Sequence, residues 1–457
     1  MNTHIPALVA GGGISGLVCA YALRRAGIDA QVVECSPHSG GMIRSERREN
    51  YLLEFGPQSF NATASVLNLC RELRIEDQLV QAPAQAPRFV LVDGRLRVVP
   101  LSPPSFFASS LFGARTKFRV LSDLLGNSSP PENDESIATF VRRKFSPELL
   151  EKLVGPFVSG IYAGDPEKLS LRSAFPQLYE AEKSAGSVIR GLRRTSRKSA
   201  ARGERPTLQS FRKGNQTLID ALAASLGSSL RCNVEARSVR RAARSNGGAS
   251  GFEVTLVANN MEDKVFTDRL IVATPVPQAA AMLRELDPQF ETALQQVEYA
   301  PIAVVSLGYQ KSAIRHALAG FGFLAPRSSG LRVLGSVWNS SLFAGRAPEG
   351  QALLTSFVGG ATDPDAMQAP ESQLIATVHS ELTAILGISR PPIFSNVWKL
   401  PRAIPQYNIG HTGQMNRLNG LQTKHPHVHL TGNYLRGPAL GTCIEQALTA
   451  AQEAGKQ

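Results

Sequence analysis

The chain has 457 residues, 43% of them hydrophobic and 19% charged, so it can bury a large core and is too long for one compact unit; two or three domains are expected. Its formal charge is +12, from 49 Lys and Arg against 37 Asp and Glu, which favours an anionic partner but does not choose among nucleic acid, acidic lipid headgroups and a carboxylated substrate. Five scattered cysteines without a CxxC pair and eight histidines without an HExxH spacing argue against a disulfide framework and against a metal, and the thiols are expected to be buried, in a reducing compartment.

No apolar run is long enough to span a bilayer. The basic pair Arg24 and Arg25 follows the first apolar stretch instead of preceding it, so no cleaved signal is expected. The expected location is cytoplasmic, with peripheral attachment to the cytoplasmic membrane face left open.

Residues 6–10 read as a short buried strand and residues 15–26 as a helix of small residues, joined by Gly11, Gly12, Gly13, Ile14, Ser15 and Gly16. In this GxGxxG turn the first glycine permits the tight turn, the second lets backbone approach a pyrophosphate, and the third lets helix and strand pack closely. The helix N-terminus then faces phosphate. A second apolar strand, residues 30–33, ends at Glu34, where a carboxylate can accept hydrogen bonds from a ribose diol and disfavours a 2′-phosphate. Gly40 and Gly41, a strand at 51–55 and the turn EFGPQS at 54–59 follow. This order resembles the two-dinucleotide-binding-motif flavoproteins and points to FAD.

Residues 101–206 have a different grammar: helices at 137–145 and 148–154 around the polar linker GNSSPPENDE at 126–135 read as a helical insertion. A basic stretch lies between Lys183 and Lys213, with Arg190, Arg193, Arg194, Arg197, Lys198, Arg202 and Arg205. A solvated loop and an anionic membrane surface both explain it, each cation near such a surface being worth about 1 kcal/mol. Nucleic acid is not expected as a partner, because no aromatics stand there to stack bases.

Residues 211–226 read as a helix entered through Gly214, followed by an alternating strand at 230–239, a hairpin-like stretch at 251–257 and a strand at 268–273. Apolar runs at 300–308, 331–337 and 352–358 suit a second sheet, and 427–431 and 441–454 read as a final strand and helix. His425, His427 and His429 read as one strand face near a surface. The fold class is α/β plus α+β: a two-dinucleotide-binding-motif, Rossmann-like FAD domain with a sheet-based substrate domain and a helical insertion. The division expected is FAD domain at 1–86, 207–298 and 395–457, substrate domain at 87–110 and 299–394, and helical, membrane-associating insertion at 111–206.

Three further segments, PFVSGIYAGDPEKLSLRSAF at 156–175, WKLPRAIPQYNIG at 398–410 and HLTGNYLRGPALGTCIEQ at 429–446, together with GGGISGL and EFGPQSF, closely resemble the oxygen-dependent protoporphyrinogen oxidases. These include the bacterial coproporphyrinogen III oxidase branch and belong to the flavin amine oxidase superfamily. The resemblance covers essentially the whole chain. It implies aromatisation of a cyclic tetrapyrrole in heme synthesis, with six hydrogens removed in three two-electron steps, FAD receiving each pair, and molecular oxygen re-oxidising it to give hydrogen peroxide.

The resemblance also implies FAD contacts from Gly11 to Gly16, at Glu34, Cys35, Met42, Gly56, Pro57, Gln58 and Ser59, and at Val234, Trp398, Pro438, Ala439 and Leu440. In the substrate cleft it implies Arg88 for a propionate, whose two oxygens match the planar guanidinium fork. Gly160 leaves space beside the macrocycle, and Leu324, Val337 and Phe357 sandwich its rings. No general acid or base and no metal are assigned. Gln58 and Ala163 depart from the family pattern. The wording GDPEKLS favours protoporphyrinogen over coproporphyrinogen, while a flavin amine oxidase, a carotenoid desaturase and a non-catalytic flavin-bound porphyrin carrier are the remote alternatives; a homodimer stays open.

Overall fold

The computed structural model describes residues 3–201, 207–243 and 250–456. Strand Thr3–Ala10 pairs in parallel with Ala30–Glu34 on one side and with Met261–Val272 on the other. A strand with parallel neighbours on both sides and helices on both faces has no wet side, which is why its run ALVA carries no polar residue and is fully buried. Leu230–Cys232 extends this seven-stranded sheet beyond Ala30–Glu34, and Val428–Leu430 pairs in parallel with the end of Met261–Val272. Helices Ile14–Arg25, Gln216–Leu226 and Leu440–Lys456 cover one face, and Val276–Leu283 and Pro288–Leu294 the other.

Two elements of this half differ from the sequence reading. The alternating run 230–239 is cut at Asn233, whose φ of 58° turns the chain out of the parallel ladder into an antiparallel meander of Glu235–Ala243, Ser250–Ala258 and Met261–Val272. The last hairpin closes through Asn259 and Asn260, both left-handed, as a tight primed turn needs. The expected helix 211–226 is instead a strand, Leu208–Phe211, a turn, and the helix Gln216–Leu226.

The second sheet also has seven strands, in the order Phe394–Pro405, Tyr299–Gln310, Gln351–Gly359, Val333–Val337, Gly322–Leu324, Arg88–Val92 and Arg95–Val98. Phe394–Pro405 pairs along Tyr299–Gln310. It is therefore an edge strand of this sheet, although the sequence division grouped 395–457 with the nucleotide-binding segments.

Between the sheets in sequence lie the helices Pro103–Ala108, Ala114–Leu125, Ile137–Lys144, Pro176–Ala185 and Val188–Ala201. Pro147–Leu149 runs through a π-helical turn, Leu150–Val154, into Gly155–Tyr162. The linker 126–135 has no regular structure. Among the described residues no helix is long and apolar enough to cross a membrane.

Two expectations on side chains are corrected. Cys19, Cys70 and Cys443 are buried thiols, but Cys35 is exposed and Cys232 half-exposed, because both sit at the open end of the parallel strands. His425 and His429 are buried rather than on a surface face; His425 is fixed between Asp287 Oδ2 at 3.1 Å and the Arg241 guanidinium at 3.2 Å.

Candidate active site

The loop between Thr3–Ala10 and Ile14–Arg25 is built by what its glycines exclude. A Cβ on Gly11, at φ +106°, would lie 2.8 Å from the Ala273 backbone, and one on Gly16 would lie 1.9 Å from the Gly11 carbonyl oxygen. Side chains at either place would force the strand and helix apart. Gly13 is different, since nothing stands within 4 Å of a Cβ placed there. The helix begins at Ile14 with no side-chain cap and no acidic residue in its first turn, so its leading N–H groups face this open space. Beside Gly11, Thr274 carries a buried hydroxyl with no hydrogen-bond partner.

Glu34 stands at the end of the neighbouring strand. Its Oε2 accepts from Gly12 N–H at 2.7 Å, and its Oε1 accepts from the Ser36 N–H at 2.9 Å and hydroxyl at 2.7 Å. Val234 is buried against this corner, its N–H donating to the Glu34 carbonyl at 2.9 Å. The Cys35 thiol lies 3.5 Å from the same carboxylate; burial and the Glu34 charge both push its pKa up. Glycine space, uncapped helix amides, an orphaned hydroxyl and a half-buried carboxylate together fit a dinucleotide.

The turn Gly56 to Ser59 is pinned from several sides. Gly56 lies so close to Met42 that a Cβ would meet the Met42 carbonyl oxygen at 1.9 Å, while Met42 itself is 37% exposed. Gln58 is buried, and its side-chain amide donates to the Glu54 carbonyl at 3.0 Å and the Gly56 carbonyl at 3.1 Å. Pro57 is exposed and Ser59 half-buried. From the second sheet, Trp398 packs edge-on against Phe55 with ring centroids 5.0 Å apart.

At the other end of the chain, Pro438 is half-buried, Ala439 exposed and Leu440 buried, at the start of the helix Leu440–Lys456. That helix packs along Ile14–Arg25, and Cys443 comes within reach of Ser15. Gly11 to Gly16, Glu34, Val234 and the start of Leu440–Lys456 thus lie at one end of the first sheet, while Trp398 comes from the second.

The cleft residues are brought together by strand register. Val90, Leu324, Gly335, Phe357, Val304 and Trp398 form one rung across the second sheet, and Arg88, Gly322, Val337 and Thr355 form another. Directly opposed residues, and residues two apart on a strand, share a face. Arg88, Leu324, Val337, Phe357 and Trp398 therefore line one surface, with Arg88 exposed and the others half-buried. Gly160, on Gly155–Tyr162, closes on it: a Cβ there would sit 2.6 Å from Leu324 Cδ2.

Ala163 caps that helix with φ 47°, a left-handed conformation costing an alanine about 1 kcal/mol where glycine is unstrained. Its carbonyl accepts from Ala361 N–H at 2.7 Å, which holds the turn in place. Sequence reasoning passed over Arg44, although it follows the glycine pair by three residues. Its guanidinium lies over the Trp398 ring at 5.3 Å and the Phe55 ring at 5.6 Å, and pairs with Glu46.

Residues 14–455 match the family described as flavin containing amine oxidoreductase. The chloroplastic protoporphyrinogen oxidase of Nicotiana tabacum is 35% identical, over 98% of this chain and 85% of its own length. The coproporphyrinogen III oxidase of Bacillus subtilis is 30% identical, over 98% and 97%. A solved structure from Exiguobacterium sp. 255-15, provisionally named a protoporphyrinogen oxidase, superimposes with a TM-score of 0.81 at 23% identity over 100% of both chains, a likeness of fold. The chain belongs to the flavin containing amine oxidoreductases, in the group that includes these protoporphyrinogen and coproporphyrinogen III oxidases, and is an FAD-dependent oxidoreductase.

Proposed function

We propose that this enzyme oxidises protoporphyrinogen IX to protoporphyrin IX in heme biosynthesis, with molecular oxygen as final acceptor and hydrogen peroxide as product. The observation carrying this reading is the single sheet face that presents Arg88 beside Leu324, Val337 and Phe357 and ends at Trp398. The relatives at 35–36% identity named protoporphyrinogen oxidase support it.

Bound FAD supplies the two-electron acceptor. The chain's own task is placement. Arg88 pairs with a propionate at the rim and the three apolar side chains sandwich the flat tetrapyrrole, with Gly160 bare so that Leu324 can pack close against its helix, so one meso carbon is held in a fixed attitude. Arg88, Gly160, Leu324, Val337 and Phe357 include no group able to take a proton. The pyrrole N–H proton leaves to solvent or to the substrate's own nitrogens.

Purified enzyme is expected to turn over protoporphyrinogen IX with porphyrin fluorescence growing in and peroxide released, and Arg88→Ala is expected to raise KM about tenfold with little change in kcat. Absence of turnover with either porphyrinogen overturns the reading. Arg97 favours a second reading, coproporphyrinogen III. It lies opposite Val90, on the face that carries Arg88, and a substrate with four propionates would use it. A larger loss for coproporphyrinogen than for protoporphyrinogen in Arg97→Ala identifies that case.

We also propose peripheral attachment to an anionic membrane through the helical segment. Phe118, Leu121 and Leu125 form an exposed stripe on Ala114–Leu125, and the adjoining helix Val188–Ala201 exposes Arg193, Arg194 and Arg197. Arg190 is excluded from that role, since its guanidinium donates to the carbonyls of Leu124, Gly126 and Ala185. Arg202, Arg205 and the Lys198 side chain lie outside the described residues.

A further inference from the structure

Among the described residues Arg346 is the second largest of the fully buried side chains, 1% exposed, and neither the substrate face nor the nucleotide loop uses it directly. It comes from the connector between Asn339–Leu342 and Gln351–Gly359, in the unit built on the second sheet, and reaches into the first. One end of its guanidinium donates to Glu54 Oε1 at 2.8 Å. The other donates to the Ser210 hydroxyl and to the Phe211 carbonyl at 3.4 Å, while the Phe343 ring lies beneath it at 5.5 Å. Its own carbonyl accepts from Leu52 N–H at 3.0 Å.

Glu54, 3% exposed, opens the turn EFGPQS. Beyond Arg346 it accepts from the Ser45 hydroxyl at 2.5 Å and from Asn215 N–H at 3.0 Å. Asn215 accepts in turn from Ser210 at 2.9 Å and donates to the Pro57 carbonyl at 2.7 Å. A second side chain from the same region, Asn339, donates to Gln58 Oε1 at 2.7 Å, and Gln58 grips the Glu54 and Gly56 carbonyls. The Glu54 carboxylate is thus held by Arg346, the Glu54 and Gly56 carbonyls by Gln58, which Asn339 fixes, and the Pro57 carbonyl by Asn215, which bonds to Glu54 and Ser210. Burial pushes the Glu54 carboxyl above the usual carboxylate range and the Arg346 charge opposes it, so the pair costs desolvation that only good geometry offsets.

We propose that Arg346 is a positioning residue for FAD: through Glu54 it sets the turn Gly56 to Ser59 from the second sheet, so that the cofactor turn and the substrate face keep one fixed relation. This deepens, and rests on, the reading of that turn as an FAD contact in a porphyrinogen oxidase. Arg346 touches neither cofactor nor substrate in this scheme. A side chain that only filled the interface would change stability and nothing else.

The test uses full-length protein stripped of flavin and retitrated with FAD. Arg346→Met and Glu54→Gln are expected to stay folded by circular dichroism, to bind FAD at least tenfold more weakly, and to shift the visible absorption of bound flavin. At saturating FAD, kcat is expected to fall with KM for porphyrinogen near that of the wild type. Arg346→Lys, which keeps the charge but not the fork, is expected to recover part of the affinity. The double variant is expected to lose little more than either single one, as members of one unit do.

A lowered Tm with unchanged FAD affinity and flavin spectrum overturns the proposal and leaves Arg346 a structural residue. Should Arg346→Met not fold, Arg346→Lys and Asn339→Ala carry the same titration, and wild-type affinity in both overturns it equally. If wild-type enzyme oxidises neither porphyrinogen, the substrate reading fails, while the flavin titration still decides the role of Arg346.

Discussion

The nucleotide-binding sheet and the helical segment solve burial in opposite ways. Around Thr3–Ala10 the inside is aliphatic, and the working surface is made of backbone: bare glycines and uncapped helix amides. In the helical segment the charges are inside. Asp123 and Glu182 have fully buried side chains, paired with Lys144 and Arg143, and Asp123 also accepts from the Ser187 hydroxyl at 2.9 Å and Ile189 N–H at 3.0 Å. Outside stand Phe118 at 70%, Leu121 at 47% and Leu125 at 88% exposure. Buried charges keep their place by mutual geometry rather than by aversion to water, and a contiguous exposed apolar stripe marks a surface made to meet something other than water. The first region is apolar within and polar at its working edge; the second holds charges within and apolar side chains on part of its outside.

The largest effect that sharpens this contrast is expected at the glycine loop. Gly16→Ala places a methyl against the Gly11 carbonyl oxygen with only backbone to give way, and the protein is expected to purify without flavin and to take none up. Gly13→Ala meets nothing within 4 Å, so the apoprotein is expected to keep its wild-type Tm while FAD affinity falls at least tenfold, the methyl now standing where pyrophosphate must come close. Wild-type FAD affinity in Gly13→Ala would show that the open space is not the path of the cofactor.

That loop was legible in the sequence because its rule is local: six consecutive residues, with the acid at a fixed distance, state the geometry. Strands Ala30–Glu34, Tyr299–Gln310 and Gln351–Gly359 were visible for a similar reason, as short apolar runs with a consistent period. What was missed depends on partners far apart in the chain. Nothing in the neighbourhood of Arg346 announces Glu54, nor does Asn339 announce Gln58. The break at Asn233 was hidden because the apolar alternation continues across it, while the left-handed backbone that redirects the chain leaves no trace in that pattern. The pairing of Phe394–Pro405 along Tyr299–Gln310 was likewise invisible, because the WKLP motif names a cofactor contact but not a pairing partner. Nothing in the sequence marks the charges of the helical segment as buried, since periodicity marks a face but not which side of it is inside.

The next effect falls on the helical segment alone. Replacing Phe118, Leu121 and Leu125 together by Ser is expected to leave Tm within about 1 °C, because exposed substitutions usually change stability by less than about 0.5 kcal/mol. Binding to vesicles rich in phosphatidylglycerol is expected to fall more than tenfold, each large apolar side chain being worth about 1.5–3 kcal/mol when it enters an apolar phase. Raised salt is expected to weaken wild-type binding further through Arg193, Arg194 and Arg197. Equal vesicle binding by the triple variant and the wild type breaks the contrast, leaving the stripe as plain surface.

The smallest effect tests whether the nucleotide-binding half also depends on a charge pair, at its rim rather than its centre. Asp287 caps the helix Pro288–Leu294 through Gln289 N–H. It accepts from Lys424 Nζ at 2.8 Å and faces His425 at 3.1 Å, and the Lys424 hydrogen bond is the main force drawing its pKa down to about 2. A carboxylate whose folded pKa lies below its ordinary value adds stability that is fully present above about pH 4 and is lost as pH falls towards 2, where both folded and unfolded forms are protonated. The shift corresponds to about 2 kcal/mol at neutral pH. Asp287→Asn is therefore expected to unfold at a Tm a few degrees lower at pH 7, and the two thermal curves are expected to converge as pH approaches 2. A constant gap between them across that range would mean that the cap to Gln289, and not the charge facing Lys424, is what Asp287 contributes.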